Sequence, residues 1–372
     1  MINLITLFFG LLLWGGFFFR QIDCWHSQGH FVQIAILILF SYSFFVKQKN
    51  VQILNKALGA FICWAGLITS YSWIKVFAES SHYPVKIFMP FFNLLCMIIL
   101  YKLIIEHLNQ NGIEKILTWL KYSVIIMLFY CAAQYFRLDE FYKGFSGHDE
   151  LVGTIGNSMH LSGLLAILQP LFFKKSIENI LSLCLIWILI LLTGSASGLV
   201  AAISVILFWF WFKNRKLAIS CFIVSIISLI TLHLTNPTFF YNSQRFEIWK
   251  RAFEYIKNKF ITGYGLGTFG IANIYPEGAF WQHSHNEYLQ IVFEIGCIGL
   301  ILIIWVILDY YKVFKSLKTD LSLRLASIFF GFCLLNLVTF FGHLWITSCI
   351  AILVYAGIYC LKNEELNQCA LV

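Results

Sequence analysis

Apolar runs close to 20 residues long recur along the chain, separated by short polar stretches. A helix crossing a bilayer needs about 20 apolar residues, so this spacing predicts a series of membrane-spanning helices. Hydropathy places about twelve of them, near 2–19, 31–46, 57–74, 86–105, 116–136, 158–173, 177–193, 197–212, 217–234, 286–308, 323–341 and 344–361. The expected fold is all-α, a polytopic integral membrane protein with one large outward loop, 235–284, before the tenth span. Three regions follow: N-terminal spans over 1–150, a central region over 151–310 that holds the loop, and C-terminal spans over 311–372. The apolar N-terminus lacks a basic leader and a small-residue cleavage site, so it reads as a first span.

Composition agrees. Only 12% of the 372 residues are charged while 60% are hydrophobic and 18% aromatic, and the mean hydropathy is +0.79; soluble domains carry about twice that charged fraction. Lysine and arginine fix an orientation. Lys47, Lys49 and Lys56, then Lys174 and Lys175, then Lys213, Arg215 and Lys216, and finally Lys312, Lys315, Lys318 and Arg324 all fall on one side of the twelve-span pattern. By the positive-inside tendency that side is the cytoplasm, leaving 20–30, 75–85, 137–157 and 235–284 outside. These loops account for most of the net charge of +8, and no motif points to nucleic acid. Most of the eleven cysteines lie inside predicted spans and only Cys24 falls clearly in an outward loop, so neither a disulfide framework nor a C-x-x-C metal pair is indicated. Trp209, Trp211 and the many phenylalanines read as lipid-facing surface and interface anchors.

The loop 235–284 departs from the charge pattern, because Arg245, Lys250, Arg251, Lys257 and Lys259 lie on the side expected to be poor in cations. Phe246, Trp249, Phe253, Ile256 and Phe260 step by three and four within it, an amphipathic helix flanked by basic residues. Two readings stand: an interfacial helix on anionic headgroups, or a cationic clamp for an anionic substrate. Gly263, Gly265 and Gly267 follow. With no strand before them and no Lys-Ser or Lys-Thr after, they make tight turns rather than a nucleotide loop.

The polar stretch Trp281 to Gln290 then opens the tenth span. Ser284 and Glu287 have capping-box spacing, which would put His285 and Asn286 at a helix N-terminus, where free N–H groups favour phosphate. His285 is the group nearby whose ordinary pKa lies near neutrality, which suits it to accept a proton from an attacking hydroxyl. His283 and His285 form an H-x-H pair, weak as a zinc motif without a third ligand, and no metal is assigned. Glu294 shares a helical face with Glu287 and Gln290. A charge centred in lipid costs about 2.5–3.5 kcal/mol or more, so Glu294 is either functional or neutral and hydrogen-bonded to a neighbouring helix. Asn157 and His160, at the mouth of an earlier span, either line a substrate path or serve as ordinary interfacial polar groups.

His285-Asn286, nine residues, then Gly296-Cys297-Ile298-Gly299 resembles the H-[NSQ]-x(9)-G-x-x-G pattern of the bacterial O-antigen ligase family. Arg245 with Trp249 resembles that family's R-x-x-x-W, Gly263 to Phe269 its G-x-G-x-G-x-F turn, and Gly156 to His160 its G-N-x-x-H. The likeness covers about residues 150–310, which makes 151–310 a ligase-like core. It implies a metal-independent, inverting glycosyltransferase of the inner membrane that needs no cofactor. Such an enzyme moves a glycan from an undecaprenyl-diphosphate carrier to an acceptor hydroxyl at the periplasmic face, here lipid A core or another glycan. It further implies His285 as catalytic base, Arg245, Arg251, Lys250 and Asn286 as donor diphosphate ligands, and Asn157, His160 and Glu294 along the substrate path. Membrane lipids are the other expected partners.

One departure stands out: Ala196 in Thr193 to Gly198 occupies a position where relatives often carry arginine. The five prolines and the lack of a sizeable soluble domain weigh against the protein O-oligosaccharyltransferase branch. That branch, O-antigen polymerase and a non-enzymatic transporter are the alternatives. Clustering of the candidate residues at one face, without paired repeats, favours an enzyme over a transporter.

Overall fold

The structure, a computed structural model, describes residues 1–14, 24–46, 56–79, 84–138, 151–235, 243–271 and 283–369. Among these residues it is all-helical, with no strand. Its α-helices are α1 (Ile2–Leu12), α2 (Cys24–Ser43), α3 (Lys56–Glu79), α4 (Pro84–His107), α5 (Gln110–Tyr135), α6 (Ser158–Leu168) and α7 (Ile177–Leu192), followed by α8 (Ala196–Lys213), α9 (Arg215–Thr235), α10 (Ser243–Asn258), α11 (Glu287–Ser316), α12 (Asp320–Leu335) and α13 (Trp345–Cys369). Each predicted span overlaps one of these helices in sequence, residues 15–19 of the first lying outside the described residues, and α10 falls within the segment 235–284. Among the described residues, five helices are long and apolar enough to cross a membrane, over Pro90–His107, Gln110–Tyr135, Ala196–Lys213, Glu287–Ser316 and Trp345–Gln368. Shorter apolar helices cover Ile2–Leu12, Gly29–Ser43, Ser158–Phe172 and Ile177–Leu192. The segment 20–30, expected as a loop, is already helical from Cys24.

The core gathers around α6, whose residues from His160 to Leu168 are all buried. Small residues make this possible by letting backbones approach closely. A side chain at Gly198 on α8 would collide with Ser162, and one at Gly331 on α12 would meet Val205 and Ile167. At Gly163 a Cβ would come 2.3 Å from the ring of Phe341, so this glycine admits the α12–α13 connection against α6.

The tenth predicted span is not continuous. α11 breaks at Gly296, where φ is 75° and ψ 178°, a backbone region open essentially to glycine alone. A Cβ there would lie 2.0 Å from the Ile261 carbonyl oxygen. Helix hydrogen bonds lost at the break are made elsewhere, as an apolar setting requires. Tyr264 N donates to Phe293 O at 3.0 Å, Gly265 N to Glu294 O at 2.6 Å and Cys297 N to Phe260 O at 2.8 Å. Trp64 Nε1 donates to Ile295 O at 2.8 Å. Gly263, Gly265 and Gly267, all at positive φ, give the turn that delivers these amides. The glycine turn and the helix break are therefore one interlocking unit.

Candidate active site

Four segments meet at one end of the bundle: the start of α6, the start of α10, the stretch leading into α11, and the α12–α13 connection. α10 lies against the first half of α11 through Ile248, Ala252 and Ile256, which pack with Phe269, Leu289 and Phe293. The buried face thus differs from the expected stripe. Ile256 and half-buried Trp249 face the protein, while Phe246, Phe253 and Phe260, spaced seven apart, are more than half exposed. Trp249 Nε1 donates to Ser284 O at 2.8 Å, fixing the entry to α11.

Asn286, not Ser284, caps that helix: its Oδ1 accepts from Leu289 N at 3.0 Å. Ser284 Oγ instead accepts from Asn286 N at 3.1 Å, and Gln290 Oε1 accepts from Ser284 N at 3.1 Å. The expected capping box is replaced because Glu287 turns to another partner. Both Glu287 oxygens approach His343 Nδ1, at 2.9 and 3.0 Å. Asn157 is likewise a cap, its Oδ1 accepting from His160 N at 3.1 Å at the start of α6.

His285 sits between these turns with φ 54°, a left-handed conformation that costs a non-glycine residue on the order of 1–3 kcal/mol. It is 6% exposed. Its ring meets Phe340 edge-on at 5.0 Å. The same phenylalanine takes the ring of His160 edge-on at 5.0 Å and stacks on His283 at 4.5 Å. Phe340 therefore collects three imidazoles from two chain segments, and His283 also touches His343 at 4.5 Å.

Arg245 reaches this group from α10. Its Nη1 donates to Val338 O at 2.9 Å and its Nη2 approaches Met159 Sδ at 3.0 Å, so the guanidinium ties α10 to α6 and to the α12–α13 connection. Burial, and then the Arg245 charge, bring the His285 pKa down to about 4. The expectation of a value near neutrality is corrected: His285 is uncharged at pH 7. Burial, helped by His343 and His285, also holds His283 well below its ordinary value. His343 goes the other way. Burial would lower it, but the Glu287 charge and hydrogen bond, with Glu294 behind them, hold it up at about 9.

Glu294 is buried just before the helix break. Its Oε1 accepts from Gln290 Nε2 at 3.0 Å and from Phe269 N at 3.4 Å, and Gln290 Nε2 lies 3.3 Å from His343 Nε2. Polar groups thus run from Glu287 through His343 and Gln290 to Glu294. The structure joins Arg245, His285, Asn286, Asn157, His160 and Glu294 into one neighbourhood. Arg251 and Lys250 stand apart from it: Arg251 Nε donates to Glu247 Oε1 at 2.9 Å within α10, and Lys250 is exposed. Among the described residues no group of three histidines, cysteines or carboxylates is arranged to hold a metal ion.

Residues 181–304 match the profile of the O-antigen ligase (Wzy_C) family. This segment is similar to O-antigen ligase family domains. It contains α10, the glycine turn, His285 and the break at Gly296. His160, Phe340 and His343, which complete the geometry described above, lie outside the matched residues. The ComP-specific O-oligosaccharyltransferase of Acinetobacter baylyi is 27% identical over 295 residues, which cover 66% of this chain and 53% of that relative. The chain spans about half the length of the curated relative it matches. These findings make the chain one with several membrane-length apolar helices whose central segment is similar to O-antigen ligases.

Sequence reasoning missed Phe340 and His343. The interruption Gly342-His343 between two apolar runs was the available signal.

Proposed function

We propose that the protein transfers a glycan from an undecaprenyl-diphosphate carrier to an acceptor hydroxyl at the periplasmic face of the inner membrane, with ligation to lipid A core as the first reading. The observation that carries it is the meeting of Arg245 and His285 at the N-terminus of α11, inside the ligase family segment. In the reaction the acceptor oxygen attacks the anomeric carbon from the face opposite the diphosphate. The carbon–oxygen bond to phosphate breaks with its electron pair leaving on the diphosphate, the hydroxyl proton passes to His285, and configuration inverts. Arg245 holds phosphate oxygens bidentately. The Asn286 oxygen is used on the cap, so its amide nitrogen is the group it can offer the diphosphate. The positive end of the α11 dipole and the His343 imidazolium add fixed positive charge where negative charge develops. Arg251 and Lys250 act at longer range, on the approach.

An apolar cavity of about 270 Å³ supports a lipid carrier. It runs among α3, α4, α11, α12 and α13, and reaches Glu287, Tyr288, Asn336 and Gly342 at the site end. A second reading, transfer to a polypeptide hydroxyl, is favoured by the name of the A. baylyi relative. The test is reconstitution of the purified chain with an undecaprenyl-diphosphate-linked donor and either a lipid A core or a hydroxyl-bearing peptide acceptor. Transfer to lipid A core that requires His285 and survives EDTA is the expected result. Lengthening of the donor glycan alone would make it a polymerase, peptide modification alone would move it to the second reading, and no product with any acceptor would overturn the enzymatic assignment.

A further inference from the structure

The opposite end of the bundle carries a cavity that the proposed reaction does not use. It has a volume of about 340 Å³ and lies where the end of the α6 segment, the last turn of α8 and the first turns of α12 meet. Lys174, Lys175, Lys213 and Arg324 line it, with Asp320 as the one carboxylate and Phe173 and Trp209 as aromatic walls. Asp320 is committed to Lys213, which also lies over the Trp209 ring at 5.7 Å. Lys174 and Lys175 are exposed at the rim. Arg324 is 8% exposed, and its Nε is buried with no hydrogen-bond partner among the described residues. Asp320 and Glu114 are the carboxylates within electrostatic reach of it. A third acid, Glu178 in the first turn of α7, is engaged with Lys121 at 2.8 Å.

A buried guanidinium nitrogen left without an acceptor is costly, and four cations facing one paired carboxylate leave the cavity positive. Basic pockets between membrane helices bind lipid phosphates, arginine gripping the oxygens and lysine supplying charge at the edge. We propose that this cavity binds the phosphate group of an anionic phospholipid, with Arg324 at its inner end, Lys174 and Lys175 at the rim, and Phe173 and Trp209 against the glycerol and upper acyl chain. The assignment needs the chain to lie in a membrane and is independent of the transfer reaction.

The test uses the full chain, purified in neutral detergent and stripped of lipid. It is titrated with dioleoylphosphatidylglycerol, with dioleoylphosphatidylcholine, or with inorganic phosphate, and followed by native mass spectrometry and thermal melting. Phosphatidylglycerol should be retained and should raise the melting temperature, with phosphatidylcholine at least tenfold weaker. Lys174→Gln with Lys175→Gln, and separately Arg324→Gln, should weaken phosphatidylglycerol binding about tenfold. The lysine pair is exposed, so it keeps the test valid if the buried arginine is needed for folding. Lys312→Gln with Lys315→Gln, on exposed residues of α11 outside the cavity, should leave binding unchanged. Equal binding of the two lipids, or equal loss from both lysine pairs, overturns the proposal. Protection by inorganic phosphate alone keeps the phosphate site and overturns the lipid as its source.

Discussion

Glu287→Gln removes the charge beside His343 while keeping an amide oxygen able to accept from Nδ1. The His343 pKa of about 9 against an ordinary 6.5 corresponds to about 3 kcal/mol of preference for the imidazolium. Burial opposes that preference, as does the Gln290 amide nitrogen 3.3 Å from Nε2, so the Glu287 contribution exceeds the net effect. In the variant the His343 pKa should fall below 6.5, leaving the ring neutral at pH 7. Because the wild-type value is raised, the stabilisation is full below pH 6.5 and is lost as pH rises through about 9. The wild type should therefore exceed the variant by about 3 kcal/mol at pH 6, the difference shrinking toward zero above pH 9. NMR titration of histidine-labelled protein in micelles gives the pKa, and melting curves between pH 6 and 10 give the stability. A His343 pKa still above 8 in the variant, or a melting difference independent of pH, would refute the electrostatic account.

His285→Ala and Arg245→Ala should each abolish glycan transfer while membrane insertion, read by fractionation, stays intact. Asn286→Ala removes the α11 cap and should cost about 1 kcal/mol in a melting experiment; Ser284→Ala should cost less, since its hydroxyl serves a turn and not the cap. Gly296→Ala forces a Cβ to 2.0 Å from the Ile261 carbonyl and should destabilise by more than about 3 kcal/mol, visible as loss of folded protein on size exclusion. The acid limb of kcat/KM should fall near the His285 value of about 4, and Arg245→Gln should raise the His285 pKa seen by NMR.

Much of the fold was legible because each predicted apolar run of 16–23 residues leaves the backbone little choice but helix. The break in α11 was not, although its glycines were noted. Gly296 interrupts the helix only because Tyr264, Gly265 and Trp64, distant in sequence, supply substitute hydrogen bonds, and hydropathy carries no information about such pairing. Arg245 and His285, singled out by type and position, lie close to one another in the structure. The His285 charge state was not legible, because burial and the neighbouring guanidinium set it, and both are tertiary. The same holds for Glu287: its capping-box spacing was real, but His343 outbid the backbone N–H.

Arg245 and His285 carry a consequence that neither residue has alone. A buried imidazole beside a guanidinium is a weak base, and at pH 7 it stays neutral and ready to accept a proton. Under the proposed function a diphosphate bound at Arg245 places negative charge against that guanidinium and cancels much of its field on His285. The proton affinity of His285 then rises when the donor is present and not before. Further negative charge develops on the diphosphate as the glycosidic bond breaks, which strengthens the base as the acceptor loses its proton. Donor binding and base strength are thereby coupled through one side chain. The strained φ of His285 and the Phe340 ring keep the imidazole from relaxing out of that relation.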